Sequence, residues 1–295
     1  MAAPVQRPPP AVDVIESEEI VQWLSPALLT IDYSTRTVKS TVVLAAFLSF
    51  SALFFLSLLV LNVFPSFRAL HRKHRVFMSL AICRGVFGFS CILLGSYAIF
   101  KSTNLDRDVV FGRNVTSAMS MYFTVGFFIF ELAAVVISDV CFKTFSKMLI
   151  THHGLALLGY GLAVQLEANY SFGCKALILE MSTPFSCLCF VLLKAGKENS
   201  VLWKVNQMVL VHSFHLRSVA ECHLWYVTYQ NWAYIQDFMP APIFVLLYFN
   251  LVLVTFVMTP YWGYKKTQQL FNPVDWNFQE NKHNTLSNGT FKKQV

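Results

Sequence analysis

The chain has 295 residues, 55% of them hydrophobic and only 13% charged, with 28 Phe and a formal net charge of +7. Soluble domains carry about 25% charged residues, so this composition and the mean hydropathy of +0.51 exclude an ordinary soluble domain and indicate a membrane protein. No nucleic-acid motif accompanies the basic excess, so nucleic acid is excluded as a partner.

In chain order, residues 1–37 open with MAAPVQRPPPAVDVIESEE, a polar, proline-rich and acidic stretch expected to be largely disordered. It lacks a cleavable signal peptide, which makes 38–65 an uncleaved first transmembrane anchor. A span needs about 20 mostly apolar residues. Seven windows qualify, at roughly 40–64, 77–100, 118–141, 148–167, 174–193, 201–223 and 241–260. The sixth is polar enough to escape a hydropathy plot. Spans in lipid are expected to be helical, because a helix satisfies its own backbone hydrogen bonds. Residues 66–264 therefore form the main membrane domain and 265–295 a polar tail. The fold class is an all-α polytopic membrane protein, a bundle of about seven transmembrane helices.

Lys and Arg concentrate on the cytosolic side of short loops. Fourteen lie on the side of the 65–76, 142–147 and 194–204 segments and the tail, against seven on the other, with Arg84 and Arg217 within the membrane. The N-terminus is thus expected in the lumen and the C-terminus in the cytosol. Trp203, Trp225 and Trp262 fall near span ends, where amphipathic rings favour the headgroup zone. The seven cysteines are an odd number without metal-site spacing and read as small buried apolar residues, not as a disulfide framework.

The chain ends Lys292-Lys293-Gln294-Val295. Lysines at the fourth and third positions from a cytosolic C-terminus form a dilysine retrieval signal, a receptor-read address for the endoplasmic reticulum. Of three N-x-[ST] sequons, Asn114 is the glycosylation candidate, Asn169 sits close to a span end, and Asn288 falls in the cytosolic tail.

Eleven ionisable side chains lie inside or at the edges of the spans: Arg84, Glu131, Asp139, His152, His153, Glu180, His212, His215, Arg217, Glu221 and His223. Such groups are expensive in lipid and normally face a bundle interior or a wet cavity. His152 and His153 are adjacent, so they point about 100° apart, and one is expected to line a cavity while the other packs. Arg84 and Arg217 are natural partners for Glu131 and Glu180. Three readings stay open. The groups can be structural ion pairs and interhelical hydrogen bonds, above all Asp139, Glu221 and His223. They can support acyl transfer, with an imidazole near the cytosolic face as base or nucleophile and a carboxylate to orient it. A third reading, a di-iron or zinc site using His71-x-x-His74, His152-His153 and His212-x-x-His215, is weakened by too few histidines and by the basic surroundings of His71 and His74. No metal and no bound cofactor is assigned.

The segments ITHHGLALLGY and LEMSTPFSCLCF resemble the TLC domain of translocon-associated membrane proteins, ceramide synthases and the neuronal ceroid-lipofuscinosis proteins of the endoplasmic reticulum. LLKAGKENSVLWKVNQ, VHSFHLR and above all PYWGYKKTQQLFNPVDWNF are similar to the last branch, and the resemblance covers about residues 66–278. It implies a TLC-type bundle in a protein cycling between the endoplasmic reticulum and the ER–Golgi intermediate compartment, supporting export of lysosomal enzymes and lysosome biogenesis and influencing phospholipid and sphingolipid homeostasis. The alternative it implies is a lipid acyltransferase acting on phospholipids or lysolipids, with acyl-CoA as co-substrate. Its candidate residues are His152, His153 and Glu180, with His212, His215 and Arg217 in support. Where ceramide synthases continue with His-Asp and a further Asp, this chain has Leu179-Glu180 and then Ser182-Thr183, which points away from sphingoid bases as acceptors. Expected partners are membrane lipids, lysosomal enzyme cargo bound by loops at about 101–117, 168–173 and 224–240, and vesicle coat proteins at Lys292 and Lys293. Assembly with further copies of the same chain stays open.

Overall fold

The apolar runs of the chain all become helices. The computed structural model describes residues 25–101 and 104–273, and among these residues there are helices and turns but no strand. After a 3₁₀ turn at Pro26–Thr30, α1 covers Arg36–Leu61 and α2 covers Arg72–Phe100. Then come α3 (Val115–Phe142) and α4 (Lys147–Leu166). The next segment is broken into α5 (Tyr170–Ala176), a 3₁₀ stretch (Leu177–Ser182) and α6 (Thr183–Lys194). The series ends with α7 (Val201–Gln230), α8 (Trp232–Phe238), α9 (Ala241–Leu253) and α10 (Thr259–Phe271), and a π-turn at Val254–Met258 joins the last two.

Among the described residues, six stretches are long and apolar enough to cross a membrane: Arg36–Leu61, Arg72–Phe100, Val115–Phe142, Lys147–Leu166, Tyr170–Lys194 and Ala241–Phe271. The remaining expected span, α7, is too polar to qualify on composition. Its 30 residues nevertheless form one unbroken helix, seven residues longer at its C-terminal end than the 201–223 window. At 1.5 Å per residue it is about 45 Å long, more than the roughly 30 Å of a hydrocarbon core. Asn206, Gln207, Ser213, Arg217, Glu221 and Thr228 of this helix turn inward, whereas Lys204, His212 and His215 face outward.

Local chemistry sets the helix ends. Asn114 and Ser117 form a reciprocal capping box at the start of α3. The Ser200 hydroxyl accepts from the Trp203 amide at the start of α7. Lys143 and Glu167 end α3 and α4 in the left-handed conformation. Glu167 is then clasped by Lys39 at the base of α1 and by Arg113, whose guanidinium lies 2.9 Å away.

Packed neighbours close a ring. α2 packs on α3, α3 on α4, α4 on α9, α10 on α7, α7 on α6, and α6 back on α2. α1 lies against α2 and α3 outside that ring. An aromatic cluster welds this junction: the Phe87 and Phe127 rings stack at 3.6 Å, and Phe50 of α1 meets Phe127 edge-on at 4.9 Å.

Two prolines break the regular helices where the interior needs it. Proline cannot donate to the carbonyl four residues back, and its ring crowds that oxygen. For Pro184 that carbonyl is Glu180, and the backbone tightens to 3₁₀, with the Thr183 amide bonding to the Glu180 oxygen instead. The expected span at 174–193 is present within Tyr170–Lys194, with this 3₁₀ stretch in place of regular α-helix. Pro184 seats against Gly88 of α2, where an added Cβ would lie 2.7 Å from the proline ring. For Pro260 the carbonyl is that of Phe256, in the middle of the π-turn that absorbs the mismatch. Both irregular segments face the interior site.

Candidate functional site

Inside the ring lies a cavity of about 140 Å³ between α4, α5, the 3₁₀ stretch, α7 and α9. Its walls are mainly apolar, including Met121, Phe128, Leu155, Phe172, Leu247 and Val254. Six polar side chains reach it: His152, Tyr160, Asn169, Glu180, Arg217 and Asn250.

The adjacent histidines divide as the helical step requires. His152 lines the cavity, and its Nε2 faces the Glu180 Oε1 at 3.6 Å. His153 turns away into the packed core, between the Phe128 ring and Glu131, whose Oε1 is 3.6 Å from its Nδ1. Glu180 is delivered by the 3₁₀ stretch and fixed from below by the Thr183 hydroxyl, which donates to it at 2.6 Å. Because Nε2 of His152 points to the carboxylate, Nδ1 is left as the nitrogen able to accept a proton.

Arg217 corrects an expectation. It bonds Glu221 on its own helix, Nε to Oε1 at 3.3 Å, and donates through Nη1 to the Leu179 carbonyl at 2.9 Å. Glu221 in turn accepts from Thr259 at 2.5 Å, just past the π-turn. Arg217 therefore sits beside Glu180 at the cavity wall but is held by another carboxylate. The expected pairing of Arg84 with Glu131 is present: Nε and Nη2 approach the same Oε1 at 2.7 and 2.5 Å.

His212 and His215 lie on the outer face of α7, among exposed Met208, Leu216 and Val219. The His212 Nδ1 is engaged with the Met208 carbonyl at 2.8 Å. Neither reaches the cavity, so they leave the candidate set. The α7 register that turns Arg217 and Glu221 inward turns these two outward, since 212 and 215 fall on the opposite arc.

Trp262 is the residue that sequence reasoning missed. Its ring meets His152 edge-on at 5.6 Å, and the Arg217 guanidinium lies over it at 5.8 Å. It thus bridges the two polar groups at the cavity wall. The signal available was its place within the highly specific PYWGYKK run. Trp203 likewise is buried, against Cys189 and Phe214. The Asn250 side chain also lines the cavity.

Asn114, the glycosylation candidate, is 5% exposed and engaged in the capping box, with its Nδ2 buried. Asp139 is structural, accepting from Thr144, from the Ser146 amide and from the Ser146 hydroxyl in the α3–α4 turn. All seven cysteines are free thiols. Lys292, Lys293 and Asn288 lie outside the described residues.

No solved structure matches the chain. Among curated sequences, Protein CLN8 of Rattus norvegicus is 38% identical over 256 residues, 86% of this chain and 89% of the relative. Protein CLN8 of Mus musculus is 37% identical and that of Homo sapiens 36%, each alignment covering 87% of this chain and 90% of the relative. The TLC domain family matches residues 78–267, the ring of helices and the cavity within it. With both the domain and near-full-length relatives in agreement, this is a multi-pass membrane protein that belongs to the TLC-domain family.

Proposed function

We propose that the protein transfers an acyl group from acyl-CoA to a lipid acceptor, with His152 as the base. One observation carries this reading: a cavity-facing imidazole and a carboxylate 3.6 Å apart at the wall of an otherwise apolar cavity. His152 takes the proton of the acceptor hydroxyl on Nδ1, and the hydroxyl oxygen bonds to the thioester carbonyl carbon. The carbon–sulfur bond then breaks, and the thiolate leaves with the proton returned by the imidazolium. Glu180 holds the ring in the productive tautomer and stabilises the imidazolium. The 3.6 Å separation exceeds hydrogen-bond length, and closure on substrate would tighten it. Trp262 holds the ring face, while Arg217 places a positive charge near the developing oxyanion. His153, Glu131 and Arg84 form the packed backing. The test is transfer of labelled acyl groups to lysolipids by the purified protein in vesicles. His152→Ala should abolish transfer with unchanged thermal stability. Equal transfer by wild type and His152→Ala would sink the reading.

A second reading rests on the tail. Lys292 and Lys293 support residence in the endoplasmic reticulum with cycling to the intermediate compartment, N-terminus lumenal and C-terminus cytosolic. Export of lysosomal enzymes then runs through lumenal loops and coat proteins on the tail. Lys292→Ser with Lys293→Ser should move the protein onward and lower lysosomal enzyme delivery. Unchanged location after that substitution would count against it. The two readings are compatible, because an enzyme of lipid metabolism can itself be returned to the endoplasmic reticulum.

A further inference from the structure

The outer face of α7 carries an unbroken seam. Val205, Met208, His212, His215, Val219 and Cys222 follow one another in alternating steps of three and four residues, and all are exposed. The same steps reach Val201 near one end of the helix and Tyr229 near the other, both exposed as well. The opposite face, which holds Arg217 and Glu221, packs on α6, α10 and the 3₁₀ stretch. A mean step of 3.5 residues is the period of a left-handed helix pair, and most membrane helices pair at crossing angles of about +20°. Lipid covers such a face poorly at two positions. His212 and His215 stand about 17 and 21 Å from the start of a helix about 45 Å long, and a ring nitrogen without a partner in hydrocarbon is expensive. A carbonyl only accepts, so His212 donates its Nδ1–H to the Met208 carbonyl at 2.8 Å. In a neutral ring that leaves Nε2 as an acceptor alone, whereas the neutral His215 ring has an N–H to give. One face thus presents an acceptor and a donor one step apart, and a second such face matches both. Two copies of one chain insert with the same orientation, so a two-fold axis along the membrane normal sets the same residues opposite each other at the same depth.

We propose that α7 is a dimer seam: it pairs in parallel with α7 of a second copy of this chain, and His212 of each copy accepts a hydrogen bond from His215 of the other. The two reciprocal bonds satisfy the ring nitrogens that lipid leaves unpaired. They also fix the register, as a polar position does in the seam of a coiled coil. The apolar positions above and below pack knob into hole and supply shape rather than a hydrophobic drive, since lipid is as apolar as they are. The polarity that disqualifies α7 as a lipid-facing span is what suits it to a partner. The pairing uses the face opposite the cavity and stands apart from the chemistry at His152.

Cys222 reports on this pairing. It is a free, exposed thiol on the same stripe as His215, two steps further on, so the two-fold axis places it opposite its own copy. The experiment uses the full-length protein at low density in vesicles, with Cys141→Ser to remove the other exposed thiol. Copper phenanthroline takes two electrons and two protons from a pair of thiols and leaves one disulfide. A covalent dimer is expected, and Cys222→Ser should abolish it. Moving the thiol to the exposed Val245 of α9, as Cys222→Ser with Val245→Cys, should give none. His212→Leu with His215→Leu removes both interhelical hydrogen bonds. The association constant, read from the cross-linked fraction against protein density, should fall about tenfold or more. His212→Asn with His215→Asn, whose amides both donate and accept, should keep most of the dimer. Either single leucine replacement carries the test if the double variant does not fold, because it removes one member of each bond. Absence of the Cys222 dimer, or equal dimer in the leucine variants, overturns the seam. A Cys222 disulfide to a different protein in native membranes, in place of the self-pair, overturns it as well.

Discussion

Glu131→Leu is the sharpest test of how this membrane domain tolerates charge in its core. Glu131 is fully buried, and its Oε1 accepts from the Arg84 Nε at 2.7 Å and lies 2.5 Å from Nη2 in the ion pair. Removing the carboxylate strands a guanidinium whose side chain is only 18% exposed. Breaking one side of a buried pair costs about 3–5 kcal/mol, and the residual exposure of Arg84 places this case near the lower figure. A loss of about 3 kcal/mol lowers the folded-to-unfolded ratio more than 100-fold. Replacing both partners, Arg84→Met with Glu131→Leu, removes the stranded charge and should restore stability to within about 1 kcal/mol of wild type, because well-packed apolar residues often replace a buried pair without loss. Unfolding in mixed detergent micelles, followed for the wild type, both single variants and the double variant, closes the cycle. The reasoning is refuted if Glu131→Leu costs less than about 1 kcal/mol, or if the double variant is as unstable as the single ones.

Other consequences can be checked more briefly. His212→Leu with His215→Leu, on the outer face of α7, should leave acyl transfer unchanged and stability equal or higher, and a loss of transfer would return these residues to the site. Trp262→Ala should cut transfer at least about tenfold by freeing both His152 and Arg217, while Trp262→Phe, which keeps a ring face, should recover most of it; equal losses would deny the ring a positioning role. At the α4–α5 turn, burial raises the Glu167 carboxyl, but the hydrogen bond from Lys39 and the charge of Arg113 prevail and hold it below its ordinary 4.5. Its folded pKa is thus the lower one, so its stabilisation is present above about pH 4.5 and fades as pH falls through the depressed value. With the side chain more than a third exposed, that contribution is under about 1 kcal/mol. A thermal-midpoint profile against pH should lose this acidic limb in Glu167→Gln.

Much of the architecture is legible in the sequence. An apolar run of membrane length has only one way to satisfy its backbone in lipid, so α1, α2, α3, α4 and the α9–α10 helix follow from local composition. The split between His152 and His153 follows from the 100° step of any helix. The departures trace to particular residues. Pro184 interrupts the regular α-helix of the fifth span and brings Glu180 onto a 3₁₀ turn, with the proline seated against Gly88. His212 and His215 look equivalent to Arg217 by spacing, and only the register of α7 against α6 and α10 separates them.

The sequence by itself determined that this chain crosses a membrane as helices, that polar groups gather among them, and that adjacent histidines must diverge. Each of these depends on interactions within a few residues. Tertiary structure alone decided which histidine meets Glu180, that Arg217 belongs to Glu221, that Trp262 turns inward, and that Asn114 is sealed in a cap. The physical reason is that lipid and protein interior are both apolar. A membrane helix therefore carries little amphipathic signal to say which face is which, and the choice falls to packing between helices far apart in the chain.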